Sequence, residues 1–142
     1  MRFAIKLGIV FALYPVAISA VEVREDLSFV KGRYATEADC ATLQAFEKKG
    51  QAVSLENSAW HLTATGFSDG WENSCQFHAI FERDTSATVQ AVCVAGAEVW
   101  PKLFYLAADD SGEQLPAIWV HEDTPGNEDG RQGVEYRACP RG

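Results

Sequence analysis

Ligand-spaced cysteines, basic clusters and long apolar runs are all missing from this chain, and each absence removes a class of function. The four cysteines, Cys40, Cys75, Cys93 and Cys139, include no C-x-x-C pair and stand far apart, which argues against a thiolate zinc site. Only three histidines occur, and none belongs to a spaced ligand motif. Acids gather at Glu122-Asp123 and Glu128-Asp129-Gly130 without EF-hand spacing, so a solvated acidic loop is the reading there rather than a calcium site. Basic residues are outnumbered 12 to 20, giving a net charge of −8. A chain with so few cations offers no dense positive patch for nucleic acid or anionic lipid. The same charge suits a cationic protein partner, or serves only to keep the protein soluble. No metal, cofactor or catalytic residue is expected.

The longest apolar run, residues 7–17, is shorter than the roughly 20 residues a spanning helix needs. It follows Arg2 and Lys6 and precedes Ile18-Ser19-Ala20, the layout of a cleaved export signal over residues 1–20. No membrane anchor is then expected after cleavage, and residues 21–142 form one domain of periplasmic or secreted location. Arg2 and Lys6 are the only leader charges, so cleavage takes the charge from −8 to −10. All four cysteines fall in the mature part, which fits an oxidising compartment.

Residues 75–93 read as a β-hairpin with a cysteine at each end. Cys75, Phe77, Ala79 and Phe81 alternate with polar neighbours, as do Ala87, Val89, Ala91 and Cys93. A turn centred on Asp84 pairs Phe81 with Ala87, Ala79 with Val89, Phe77 with Ala91 and Cys75 with Cys93. Opposed cysteines at a non-hydrogen-bonded position satisfy disulfide geometry. Four cysteines allow three pairings; Cys75–Cys93 with Cys40–Cys139 is preferred, the first locking the hairpin and the second joining the ends of the domain. No cysteine is then left to act as a nucleophile, and no serine is expected in that role.

In chain order, residues 21–27 are a loose charged lead-in, and residues 29–35 a first strand with Val30, Gly32 and Tyr34 on one face. Thr36 is a helix N-cap followed by Glu37 and Asp39, while Lys48, Lys49 and Gly50 supply the matching stop. A helix over 37–49 follows, with Cys40, Leu43 and Phe46 on its buried stripe. Beyond Gly50 the period becomes two. Strands are expected around Val53 and Leu55, over 59–64, 75–83, 87–93, 103–107, 115–121 and 134–139, with Phe67 in a turn or bulge between Gly66 and Gly70. Asp109-Asp110-Ser111-Gly112 is a hairpin turn and residues 122–133 a mobile loop. Seven or eight antiparallel strands and one early helix imply a mainly β fold, an antiparallel meander closed as a small barrel or folded as a sandwich, stapled by disulfides.

An early cysteine, Ser74-Cys75, a cysteine shortly before Gly96–Trp100, and Tyr136–Cys139 resemble the layout of small exported single-domain proteins of alphaproteobacteria, many without an assigned activity. Periplasmic inhibitors of lysozymes and proteases are similar in size, export and barrel plan. The resemblance implies a compartment and a fold. With the acidic charge it leads to the expectation of a binding module for a partner protein, a basic cell-wall hydrolase that it inhibits being the most concrete form. A small-ligand-binding or metal-dependent hydrolytic barrel, with His61, His78 and Asp69 or Glu72 as its site, and a structural envelope protein are the alternatives. The candidate contact residues are Trp71 and Trp100, each beside a turn, with Asp109, Asp110, Glu122 and Asp123 steering the partner. Burial as caps on the barrel core is the competing role for both tryptophans.

Overall fold

A computed structural model describes residues 24–50, 58–109, 116–123 and 133–140. Eight strands close into an antiparallel barrel in sequence order: β1 (Tyr34–Ala35), β2 (His61–Thr63), β3 (Gly66–Ser68), β4 (Asn73–Arg83), β5 (Ser86–Ala95), β6 (Glu98–Asp109), β7 (Ala117–Asp123) and β8 (Val134–Ala138). Strand β8 pairs back onto β1, so the sheet has no end strands. The expected leader, the strand around Val53 and Leu55, Asp110 and the centre of the acidic loop lie outside the described residues.

The helix α1 (Glu37–Lys49) forms where its local signals place it. The Thr36 hydroxyl accepts from the Asp39 N–H at 3.3 Å, and Gly50 closes the last turn with φ +60° while donating its N–H to the Phe46 carbonyl. Cys40 and Leu43 are buried and Phe46 is half-buried. Cys40 is bonded to Cys139 and Cys75 to Cys93, with Cα separations of 5.2 and 3.9 Å. Two disulfides are the chemistry of an oxidising rather than a reducing compartment. Among the described residues, no helix is long and apolar enough to cross a membrane.

Four sequence expectations change. The first strand shrinks to two residues because Gly32 turns the chain at φ +97°. The segment before it is no loose lead-in. Leu27 donates its N–H to the Ala64 carbonyl at 2.8 Å, Ile80 donates to the Arg24 carbonyl at 3.2 Å, and Leu27 and Val30 are almost fully buried. Phe67 is not a turn residue either. It is the centre of β3, 2% exposed, with its ring centroid 4.8 Å from that of Phe104, 5.6 Å from Phe77, 5.9 Å from Tyr136 and 6.1 Å from Trp60. Gly66 serves close approach instead: a Cβ on it would lie 2.2 Å from the Cys75 carbonyl oxygen.

The central hairpin is the fourth change. Cys75 opposes Cys93 and Phe77 opposes Ala91 as expected, but a bulge between Phe77 and Ala79 then shifts the register by one. Ile80, not Ala79, opposes Val89, and Phe81 opposes Thr88 rather than Ala87. Ile80 is therefore fully buried, while Phe81 is 43% exposed. Asp84 supports the tight turn with φ +54°, a conformation that aspartate tolerates better than most residues.

Candidate binding surfaces

A buried carboxylate organises the loop between β3 and β4. Asp69 is 6% exposed, and its Oδ1 accepts from the backbone N–H groups of Trp71 at 2.7 Å and Asn73 at 3.1 Å. Its Oδ2 accepts from the Asn73 side-chain amide at 2.5 Å. Burial on its own would raise the pKa of this group. The donors from Trp71 and Asn73 outweigh that and hold it below the ordinary 3.8, so it is a carboxylate at neutral pH. The main chain is tied as well, with Ala59 donating to the Asp69 carbonyl and Asp69 donating to that of Asn73. Gly70, at φ +77°, allows the reversal.

The product of this knot is a displayed tryptophan. Trp71 is 49% exposed and is followed by exposed Glu72. Asn73 opposes Ala95, which opposes Glu98, so the turn after β5 and exposed Val99 (66%) lie at the same end of the barrel. The two predicted tryptophans part ways here. Trp100 opposes buried Cys93 and packs, half-buried, against the core as a cap, whereas Trp71 does not.

The predicted acids do not form one site. Glu122 and Asp123 belong to the end of β7, not to a loop. Glu122 opposes buried Phe104 and is ion-paired with Lys102, whose ammonium sits 5.8 Å from the Phe104 ring centroid. Asp123 is exposed opposite Leu103, five residues along β6 from Glu98 and so roughly 17 Å from the tryptophan-bearing end. Asp109 ends β6 five residues beyond the partner of Glu122, roughly 17 Å along the strand, toward the other end.

The histidines stay apart. His61 is on β2 with Nδ1 3.0 Å from the Ala59 carbonyl oxygen, and His78 is exposed at the bulge of β4, with β3 between the two strands. Both oxygens of Asp69 are already engaged in the loop. Among the described residues, no three of His, Cys, Asp and Glu gather as metal ligands. Gly66-Phe67-Ser68-Asp69-Gly70 does spell the G-x-S-x-G of a nucleophile elbow, but an elbow is a strand-to-helix turn. Here Ser68 ends an antiparallel strand that leads into another strand, and its hydroxyl accepts the Gly70 N–H at 2.9 Å.

No family model, curated protein or solved structure matches this chain. Its function therefore has to be read from its own surfaces.

A second surface was hidden from sequence reading. Phe81, Thr88, Tyr105 and His121 oppose one another in turn across β4 to β7, and Arg83, Ser86, Ala107 and Trp119 form the next such row. Directly opposed residues share a face, and the exposure of Phe81 (43%), Tyr105 (45%) and Trp119 (39%) shows that this face is the outer one. Ser86, Thr88 and Ala107 are short, so the surface sinks between Phe81 and Tyr105 into a groove of about 350 Å³. One signal was available in the chain: Trp119 lies between Ile118 and Val120, and a strand buried on one face must turn the middle residue outward.

Proposed function

We propose that this protein is an exported binding module, periplasmic or secreted, that recognises a cationic partner protein through the end of the barrel bearing Trp71. The exposed indole on a loop pinned by a buried carboxylate is the observation that supports the reading. Large aromatics in fixed positions dominate binding energies, and a loop that is already ordered loses little entropy when a partner docks. Glu72 and Glu98 give that end negative charge, and the net charge of −8 steers a basic partner toward it. A basic cell-wall hydrolase, held in an inhibited complex, is the most concrete partner of that chemistry.

The test is capture of basic hydrolases, lysozymes among them, on immobilised protein at low and high salt. Binding that weakens with salt and falls about thirtyfold in Trp71→Ala is expected, the effect of losing a hot-spot residue. Binding unchanged in Trp71→Ala and in the double variant Glu72→Gln/Glu98→Gln would remove this end of the barrel from the function.

A further inference from the structure

The groove on the outer face of β4 to β7 has the opposite electrostatic character to the Trp71 end. Among the described residues no carboxylate lines it, and its ionisable side chains are Arg83, His121 and the phenol of Tyr105. Two exposed acids of the same outer face, Asp109 and Asp123, stand just outside it, two residues beyond the lining Ala107 and His121. Glu82 points away from this face and accepts from the Ser28 N–H at 2.6 Å and from Arg24, and Glu135 beside Trp119 is paired with Arg137. Arg83 has no ion-pair partner among the described residues. Asp84 lies in the turn beyond Arg83.

We propose that this groove is a second, independent site that takes an acidic oligosaccharide. Phe81 and Tyr105 stand in one row two strands apart, roughly 10 Å, with Trp119 diagonal to Tyr105. Flat rings at such intervals, with hydroxyls of Ser86 and Thr88 between them, match a chain of sugar rings that presents C–H faces to the aromatics and hydroxyls to the floor. Arg83 then meets a sugar carboxylate at the end of the groove. An extended peptide is the poorer fit. Strands bind peptides by lending free backbone edges, and here β4 to β7 are already paired along the groove, so recognition falls to side chains alone.

Titration calorimetry of the purified protein with oligogalacturonate, oligoalginate, a neutral cello-oligosaccharide of equal length and a polyglutamate peptide tests the assignment. Saturable binding of an acidic oligosaccharide is expected, weaker about tenfold in Tyr105→Ala and in Trp119→Ala. It should also weaken severalfold in Arg83→Gln, with Trp71→Ala as the control that leaves it unchanged. Since the three variants change outward side chains, equal melting temperatures confirm that folding is not the cause of any loss. Failure of both acidic oligosaccharides to bind overturns the proposal. So does equal binding of the neutral one with no effect of Arg83→Gln, indifference to Tyr105→Ala and Trp119→Ala, or preference for polyglutamate, which would make the groove a peptide site.

Discussion

Replacing Asp69 with alanine tests the foundation of the Trp71 surface. The change leaves the N–H groups of Trp71 and Asn73 and the Asn73 amide without their acceptor. A hydrogen bond to a charged acceptor contributes roughly 1.5–3 kcal/mol, and a buried donor left alone costs a similar amount. Water can reach the amide of exposed Trp71, so the three losses do not add in full. A loss of about 3 kcal/mol is expected, a large share of the roughly 5–15 kcal/mol that holds such a domain together. Urea unfolding should show it as a midpoint lowered by roughly 1–2 M at an unchanged slope. Hydrogen exchange should show the Trp71 and Asn73 amides losing protection.

The pH dependence follows from the lowered pKa. A carboxylate held below its ordinary 3.8 contributes its full stabilisation above that value and loses it as the pH falls through the folded-state pKa. The gap between the native protein and Asp69→Ala should thus be constant at neutral pH and close only below about pH 4. A destabilisation under roughly 0.5 kcal/mol, the size of an ordinary surface change, would refute the reasoning. A gap already closing near pH 6 would refute it too.

Other expectations are as direct. Gly66→Ala should cost roughly 3 kcal/mol or more in denaturant unfolding, because its Cβ meets the Cys75 carbonyl and the Cys75–Cys93 bond keeps that strand from retreating. Ile80→Ala should cost roughly 2–5 kcal/mol, whereas Phe81→Ala should stay near 0.5 kcal/mol; the reverse order would restore the unbulged register. Burial, reinforced by the nearby charges of Asp39 and Glu122, pushes the Tyr136 phenol up to about 12. It should therefore ionise late in an absorbance titration. The folded state holds that proton more tightly, so roughly 2–3 kcal/mol present below pH 10 should be lost as the pH rises through about 12.

What could be read from the chain was what is decided locally. Thr36, the acids after it and Gly50 specify the helix ends through bonds within a few residues of themselves, and the observed bounds agree. Cys75 and Cys93 were legible as partners because equal alternation on both sides of a tight turn leaves them opposed. Phe67 was misread because glycines on both sides of an aromatic look like a turn. Gly66 is instead required by the backbone of Cys75, a contact nine residues away that no local pattern reports. Strand β6 begins earlier than its apolar pattern, at Glu98. Pro101 is accommodated because, among the described residues, β6 has only β5 beside it there, β7 pairing no further than Asp123 opposite Leu103.

The two surfaces differ in legibility for the same reason. Trp71 stands next to Gly70, and a turn near a strand entry can be inferred from the chain, so its exposure was foreseeable as one of two outcomes. The aromatic groove depends on the bulge at His78, and nothing in the residues around it breaks the alternation: Cys75, Phe77, Ala79 and Phe81 form an unbroken period of two. One extra residue in a strand carries every later side chain to the other face. Without it Phe81 would join the core opposite Ala87, Ile80 would face water, and the row that links Phe81 to Tyr105 would not exist. The bulge thus does two things at once, filling the barrel with Ile80 and placing an aromatic ring outside it, and only the second has no stabilising purpose within the domain.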